Sequence, residues 1–201
     1  MSERYEEIRK SIVEYSQLMY NERLVSATSG NISMRLPDNP NAFAITPSSE
    51  NYAKMTPDRI VIMTINGELL QCPADAKPSS EWHLHAELYR SKKDVNAVVH
   101  THSPYATSFA VIRKTVPTIL IEVEPWLGGE IPLAEYAPCG SKELALNVAR
   151  DIGDKKGCLM ANHGCVAVAS NLDLAYVRAS YIEDAARIYH MALCVGKPYV
   201  L

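Results

Sequence analysis

A chain of 201 residues with a formal net charge of -3 is long enough to bury a well-formed core, and its charge gives no reason to expect nucleic acid or an anionic membrane as partner. Hydrophobic residues make up 47% and charged residues 21%, the balance of a soluble globular protein, and no apolar run reaches the length of a membrane-spanning helix. The opening MSERYEEIRK is too polar for a secretion signal, and the five cysteines at 72, 139, 158, 165 and 194 are scattered without a C-x-x-C pair, which fits reduced thiols in the cytoplasm.

In chain order, Tyr5, Ile8, Ile12, Tyr15 and Met19 recur at three- and four-residue spacing and predict an amphipathic helix over residues 3–22. Strands follow at 31–36 and 42–46. RIVIMTINGELLQ reads as two strands joined at Asn66-Gly67, a dipeptide that favours a tight hairpin turn. Pro78-Ser79-Ser80-Glu81 predicts a helix start, with the serines as caps and Glu81 in the first turn. Residues 95–99 form a buried strand, and Ser103-Pro104 opens the next helix with serine as cap.

Ser141 begins a further helix that Gly153 ends. CLMANHGCVAVA reads as two short strands broken at His163-Gly164, in which Cys158 and Cys165 act as small core hydrophobes. A last helix spans 172–195 and stops at Gly196. Interleaved helices and hairpins predict an α/β fold, helices layered on a mixed, largely antiparallel sheet, in a single domain over residues 1–201. A doubly wound nucleotide-binding fold is disfavoured, because neither G-x-G-x-x-G nor G-x-x-x-x-G-K-[ST] occurs.

The chemistry is concentrated in VVHTHSPYA. Strand residues two apart share a side, so His100 and His102 can reach one metal ion from a rigid element. A catalytic zinc site takes three protein ligands and keeps one position open. His163, at the break between two strands, is the third candidate, and Gly164 after it permits a sharp turn and the approach of a bulky ligand. His85, with Leu88 and Tyr89 as helical neighbours, reads as a packed or supporting group; His83 and His190 read as surface or interface residues.

Five blocks in order, ATSGNISMR, ITPSSENY, KPSSEWHLHAELY, AVVHTHSPYA and LMANHGCVA, resemble the class II aldolase/adducin head family, above all its fuculose-phosphate aldolase branch, over almost the whole chain. The resemblance implies a three-layer αβα sandwich and a homotetramer with active sites at subunit interfaces. It implies Zn2+, or another divalent ion such as Mn2+ or Co2+, on His100, His102 and His163, with Glu81 as the catalytic acid/base. Ser29, Gly30 and Asn31 match a first phosphate-binding turn, Ser48 and Ser49 a second that is usually Thr-Gly, and Ser79 and Ser80 a third. Such turns aim N–H groups and hydroxyls at an anion, and the N-terminus of the Glu81 helix adds a positive dipole end, so no lysine or arginine is required.

The implied substrate is a small phosphorylated sugar: a ketose 1-phosphate split into dihydroxyacetone phosphate and an aldehyde through a metal-stabilised enediolate. Decarboxylation of a 3-oxo sugar-acid phosphate, dehydration and epimerisation are the family's alternative reactions. A non-enzymatic adducin-head-like scaffold ranks below them, since that branch has lost histidines that are kept here. One position departs from the pattern. The family's acid tyrosine, drawn from a neighbouring subunit, corresponds to Ile121 in VPTILIEVEPWLGG, with Glu122, Glu124 or Trp126 as other occupants of that space.

Overall fold

The computed structural model describes residues 5–201; Glu3, where the first helix is expected to begin, lies outside them. Helix α1 (Glu6–Asn21) leads into strands β1 (Asn31–Leu36), β2 (Asn39–Ile45), β3 (Val61–Thr64) and β4 (Leu69–Gln71). Then come α2 (Trp82–Ser91), β5 (Ala97–Thr101), α3 (Pro104–Val111), the short α4 (Val123–Leu127) and β6 (Leu133–Ala134). The chain finishes with α5 (Lys142–Asp151), β7 (Gly157–Met160), β8 (Gly164–Ala169) and α6 (Leu172–Val195).

Among the described residues all eight strands join one sheet in the order β4-β3-β2-β1-β5-β8-β7-β6. Only the β6–β7 pair is parallel, so the sheet is mixed and largely antiparallel, as expected. Alternation along the strands sends their side chains into two cores. Val99, Cys165 and Ala167 pack with α1, α3, α4 and α6 on one face. Val98, Val166 and Val168 pack with α2 and α5 on the other, which completes the αβα sandwich.

Where the structure differs from the sequence expectation, long-range contacts explain the difference. Strand β5 runs from 97 to 101 rather than 95 to 99, because polar His100 and Thr101 find ladder partners at Val166 and Cys165 of β8. Strand β2 begins at Asn39 and ends at Ile45. Between β3 and β4 the connection spans four residues, closed by the Gly67 N–H on the Thr64 carbonyl at 3.0 Å, so it is longer than a two-residue turn. Helix α2 begins at Trp82, which places Glu81 at its N-cap without a side-chain cap. Ser79 Oγ instead accepts the Glu81 N–H at 3.3 Å. Ser103 likewise gives α3 no side-chain cap. The Tyr105 and Ala106 N–H groups donate at 3.0 and 2.8 Å to Glu183 of α6, a cap some eighty residues away in sequence. Ser141 does cap α5, through the Leu144 N–H at 3.1 Å.

Gly164 serves a different purpose from the one its neighbourhood suggests. The left-handed residue of the β7–β8 turn is Asn162, at φ 57°. A Cβ on Gly164 would stand 2.2 Å from the Thr101 carbonyl oxygen, so the missing side chain lets β8 close on β5. This register gathers chemistry at one end of the sheet. Because β1 and β8 both run antiparallel to β5, Asn31 at the start of β1 pairs with His100, and Cys165 at the start of β8 pairs with Thr101.

Candidate active site

His100 is fully buried in β5, and its Nδ1–H donates to the Cys165 carbonyl at 2.8 Å, which leaves the Nε2 lone pair pointing out of the sheet. His102 stands just beyond the strand, its backbone N–H held by the Leu24 carbonyl at 3.1 Å. His163 sits in the β7–β8 turn, its backbone N–H closing on the Met160 carbonyl at 3.0 Å. The three ring centroids lie 4.8, 4.9 and 4.9 Å apart, a nearly equilateral triangle of rings steeply inclined to one another. Glu81 reaches into it: Oε2 is 3.0 Å from His100 Nε2, and Oε1 is 3.2 Å from His163 Nε2.

These groups suit a divalent cation. The four ligand atoms all lie within 4.8 Å of one another. His100 Nε2 and His102 Nε2 face each other at 3.0 Å, and among the described residues His163 Nε2 and Glu81 Oε1 are buried with no hydrogen-bond partner. Converging acceptors are costly to bury unless a positive charge, a proton or a metal ion, sits among them. Three imidazoles and a carboxylate form the nitrogen and oxygen donor set that zinc and its neighbours accept.

Protonation follows the same geometry. Burial, then the His100 charge, pushes His102 down to about 3 and His163 down to about 4, so both are neutral near pH 7, the form in which imidazole binds a metal. Burial opposes the Glu81 carboxylate, yet His100 and then His163 more than offset it and hold Glu81 well below the usual carboxylate range. Burial equally opposes the His100 cation, and Glu81 lifts it above its ordinary value. At pH below the raised His100 value the metal-free cluster therefore keeps one proton on the His100–Glu81 pair.

A cation must displace that proton. Metal affinity is expected to weaken about tenfold per pH unit as pH falls below the raised His100 value, and to level off above it. Calorimetric titration below the raised His100 value, in buffers of different ionisation enthalpy, reads the protons released, with one per ion expected there; zero in that range would contradict the shared proton.

Beside the cluster lies a cleft of about 180 Å³ lined by Ser29, Gly30, Asn31, Ser48, Ser49, Ser79 and Ser80 together with Glu81, His102 and His163. The structure thus brings the three predicted serine-bearing turns to one place, and no lysine or arginine is among the lining residues. Gly30 is needed for its backbone: at φ 73° a Cβ would meet Val25 Cγ1 at 2.6 Å and the His100 carbonyl oxygen at 2.7 Å. Ser49 holds a left-handed φ of 60°, the conformation glycine adopts most readily. Ser29 Oγ is engaged locally, donating to the Ser26 carbonyl at 2.7 Å.

Asn31 differs from the other turn residues. Its Nδ2 donates to Glu81 Oε2 at 3.0 Å and its Oδ1 meets His85 Nε2 at 2.5 Å, so both ends of the carboxamide are taken by protein. Cys139, Thr28 and Pro47 also line the cleft without having stood out in the sequence. Burial and the Glu81 charge push the Cys139 thiol up to about 11, so it remains protonated beside the carboxylate.

Ile121 is 77% exposed, and nothing from residues 119–126 lines the cleft. Trp126 stacks on Tyr181 with centroids 5.2 Å apart and is committed to packing. His83 stacks on Trp82, and His190 lies exposed on α6 near Tyr105, both away from the cluster.

The family model for the class II aldolase and adducin N-terminal domain matches residues 10–190. The chain is 35% identical over 193 residues to a protein named 5-deoxy-D-ribulose 1-phosphate aldolase from Bacillus thuringiensis serovar kurstaki, covering 96% of this chain and 89% of that one. It is 32% identical over 191 residues to the L-fuculose phosphate aldolase of Escherichia coli strain K12, covering 95% and 86%. A solved L-fuculose 1-phosphate aldolase matches with a TM-score of 0.93 at 33% identity, over 100% of this chain and 92% of that chain. The fold, the histidine triangle and these matches agree: the chain belongs to the class II aldolase and adducin N-terminal domain family.

Proposed function

We propose that this chain is a Zn2+-dependent class II aldolase that splits a ketose 1-phosphate into dihydroxyacetone phosphate and an aldehyde. The observation that carries the reading is the convergence of His100, His102, His163 and Glu81 beside a serine-lined cleft. The names of two relatives, 5-deoxy-D-ribulose 1-phosphate aldolase and L-fuculose 1-phosphate aldolase, support it. When bound, the divalent ion supplies positive charge for the substrate oxygens on which negative charge builds as the C–C bond breaks.

The chain's own residues do the rest. In the condensation direction Glu81, ionised near neutral pH, takes the proton from the carbon beside the carbonyl. In cleavage the carboxylate first takes up the hydroxyl proton that the forming aldehyde gives up and then passes a proton to that carbon. Its Oε1, lacking a hydrogen-bond partner, is the oxygen available for that transfer. Ser48, Ser49, Ser79 and Ser80 present hydroxyls and backbone to the phosphate, and the N-terminus of α2 adds its dipole.

The same reading makes the chain a single domain, its two cores sharing one sheet, and a homotetramer with active sites at subunit interfaces. Exposed Ile121 and Tyr136, at 77% and 57%, support surfaces that serve a neighbouring copy. The compartment is read as cytoplasmic, in keeping with five free cysteines.

The test is a panel of ketose 1-phosphates and 3-oxo sugar-acid phosphates incubated with zinc-loaded protein and scored for dihydroxyacetone phosphate, aldehyde and carbon dioxide. Dihydroxyacetone phosphate in step with aldehyde is the expected result. Carbon dioxide without aldehyde would overturn it in favour of a decarboxylase, the reading favoured by Ile121 standing at the acid-tyrosine position.

A further inference from the structure

Behind Glu81 lies a buried line of polar side chains that the proton transfer above does not use. Glu81, His85 and Tyr89 follow one another at four-residue spacing along α2, and Asn31 and Ser33 lie two apart on β1. Four helical residues rise about 6 Å, and two strand residues rise about 6.8 Å. The two ladders therefore keep step and interlock.

Asn31 Nδ2 lies 3.0 Å from Glu81 Oε2, and Asn31 Oδ1 lies 2.5 Å from His85 Nε2. His85 Nδ1 is 2.6 Å from Ser33 Oγ, which is 2.7 Å from the Tyr89 hydroxyl. His85, Ser33 and Tyr89 are fully buried, and Asn31 is 3% exposed.

The direction of each bond follows by elimination. An ionised carboxylate only accepts, so the Asn31 amide must turn its NH2 to Glu81 and its oxygen to His85. His85 must then carry its hydrogen on Nε2. Burial pushes His85 down to about 3, so the ring is neutral and Nδ1 is an acceptor. Ser33 fills that acceptor with its hydroxyl hydrogen, and Tyr89, whose phenol burial holds well above its ordinary value, donates to Ser33. Every bond points toward the carboxylate, and among the described residues no member of the line is an unsatisfied buried group except Glu81 Oε1.

We propose that His85 is a positioning residue for Glu81: the one-way line Tyr89–Ser33–His85–Asn31 locks the Asn31 carboxamide with its NH2 on Oε2 and so reserves Oε1 for the substrate proton. Without the Nε2–H of His85, the Asn31 amide can rotate and set its oxygen against the carboxylate. Glu81 then loses its second support, and the two carboxylate oxygens exchange places. A purely structural histidine would be indifferent to which ring nitrogen holds the hydrogen. This one is not.

The proposal rests on the aldolase reading for the task of Glu81 but not for the line of bonds, and the test separates the two. In metal-free protein labelled with 15N-histidine, the His85 ring is expected as the neutral Nε2–H tautomer. A neutral Nδ1–H ring or a doubly protonated ring would overturn the proposal. In zinc-loaded protein, deuterium uptake from solvent into dihydroxyacetone phosphate reports proton removal from the hydroxymethyl carbon to Glu81 and its return as deuteron, whatever aldehyde the enzyme uses.

His85→Leu is expected to keep the metal and the KM while kcat for exchange falls about 10–100-fold. His85→Gln, which retains a donor for Asn31 and an acceptor for Ser33, is expected to recover most of that loss. An active wild type with unchanged kcat in His85→Leu, or a Gln variant no better than Leu, would overturn the positioning role. A wild type inert in both exchange and cleavage would instead overturn the aldolase reading, and the catalytic part of this proposal with it. Should His85→Leu fail to fold, the wild-type tautomer and the Gln variant still decide the matter.

Discussion

Replacing His102 or His163 with alanine is expected to abolish stoichiometric zinc binding and to cut cleavage about a thousandfold or more, while the protein stays folded. A catalytic divalent ion supplies several kcal/mol of charge stabilisation, and each factor of ten in rate is worth about 1.4 kcal/mol. Folding should survive because both side chains are half-buried at the cleft and neither bonds to the core: His102 Nε2 meets only His100, and His163 Nε2 has no hydrogen-bond partner. His100→Ala is the contrast. It opens a cavity under a fully buried ring and removes the donor to the Cys165 carbonyl, so it should also destabilise the protein, by about 2–5 kcal/mol. Metal content and thermal melting on the same samples check the distinction. An alanine variant at 102 or 163 that kept its zinc would remove that residue from the ligand set.

Glu81→Gln should part chemistry from metal binding. The amide has nearly the same shape, and its oxygen can still accept the Asn31 N–H, so the side chain should keep its place. Three neutral imidazoles remain to hold the ion. What the variant would lose is the proposed base, for which a drop in turnover of about 10²–10⁴-fold is expected. Deuterium uptake into dihydroxyacetone phosphate should fall in parallel with cleavage. Near-normal exchange in a zinc-replete Gln variant would assign the proton to another group.

The extent to which the chain announces its own structure can be read at particular residues. The apolar spacing of α1, the Ser141 cap and the strand–turn–strand at His163-Gly164 are local signals, carried by neighbouring residues, and the structure keeps them. The H-x-H pair is local too, since two residues separated by one must leave an extended chain on the same side. His85 was legible as a packed or supporting group from its helical neighbours Leu88 and Tyr89, while its bond to Asn31 depends on how α2 docks on β1.

Other features could not be seen from neighbours. Glu183 capping α3, Asn31 turning from an anion turn toward Glu81 and His85, Cys139 arriving beside the carboxylate, and β5 running on through His100 all depend on segments far apart in the chain. Local pattern carries the element types, the donor atoms and their order. Sheet register and helix docking choose among many distant pairings by their summed burial and hydrogen bonding, and no short stretch encodes that sum. The candidate metal donors were therefore readable from VVHTHSPYA and NHG, whereas the orientation of the carboxylate they surround is settled only when β1 is laid against β5 and α2 against both.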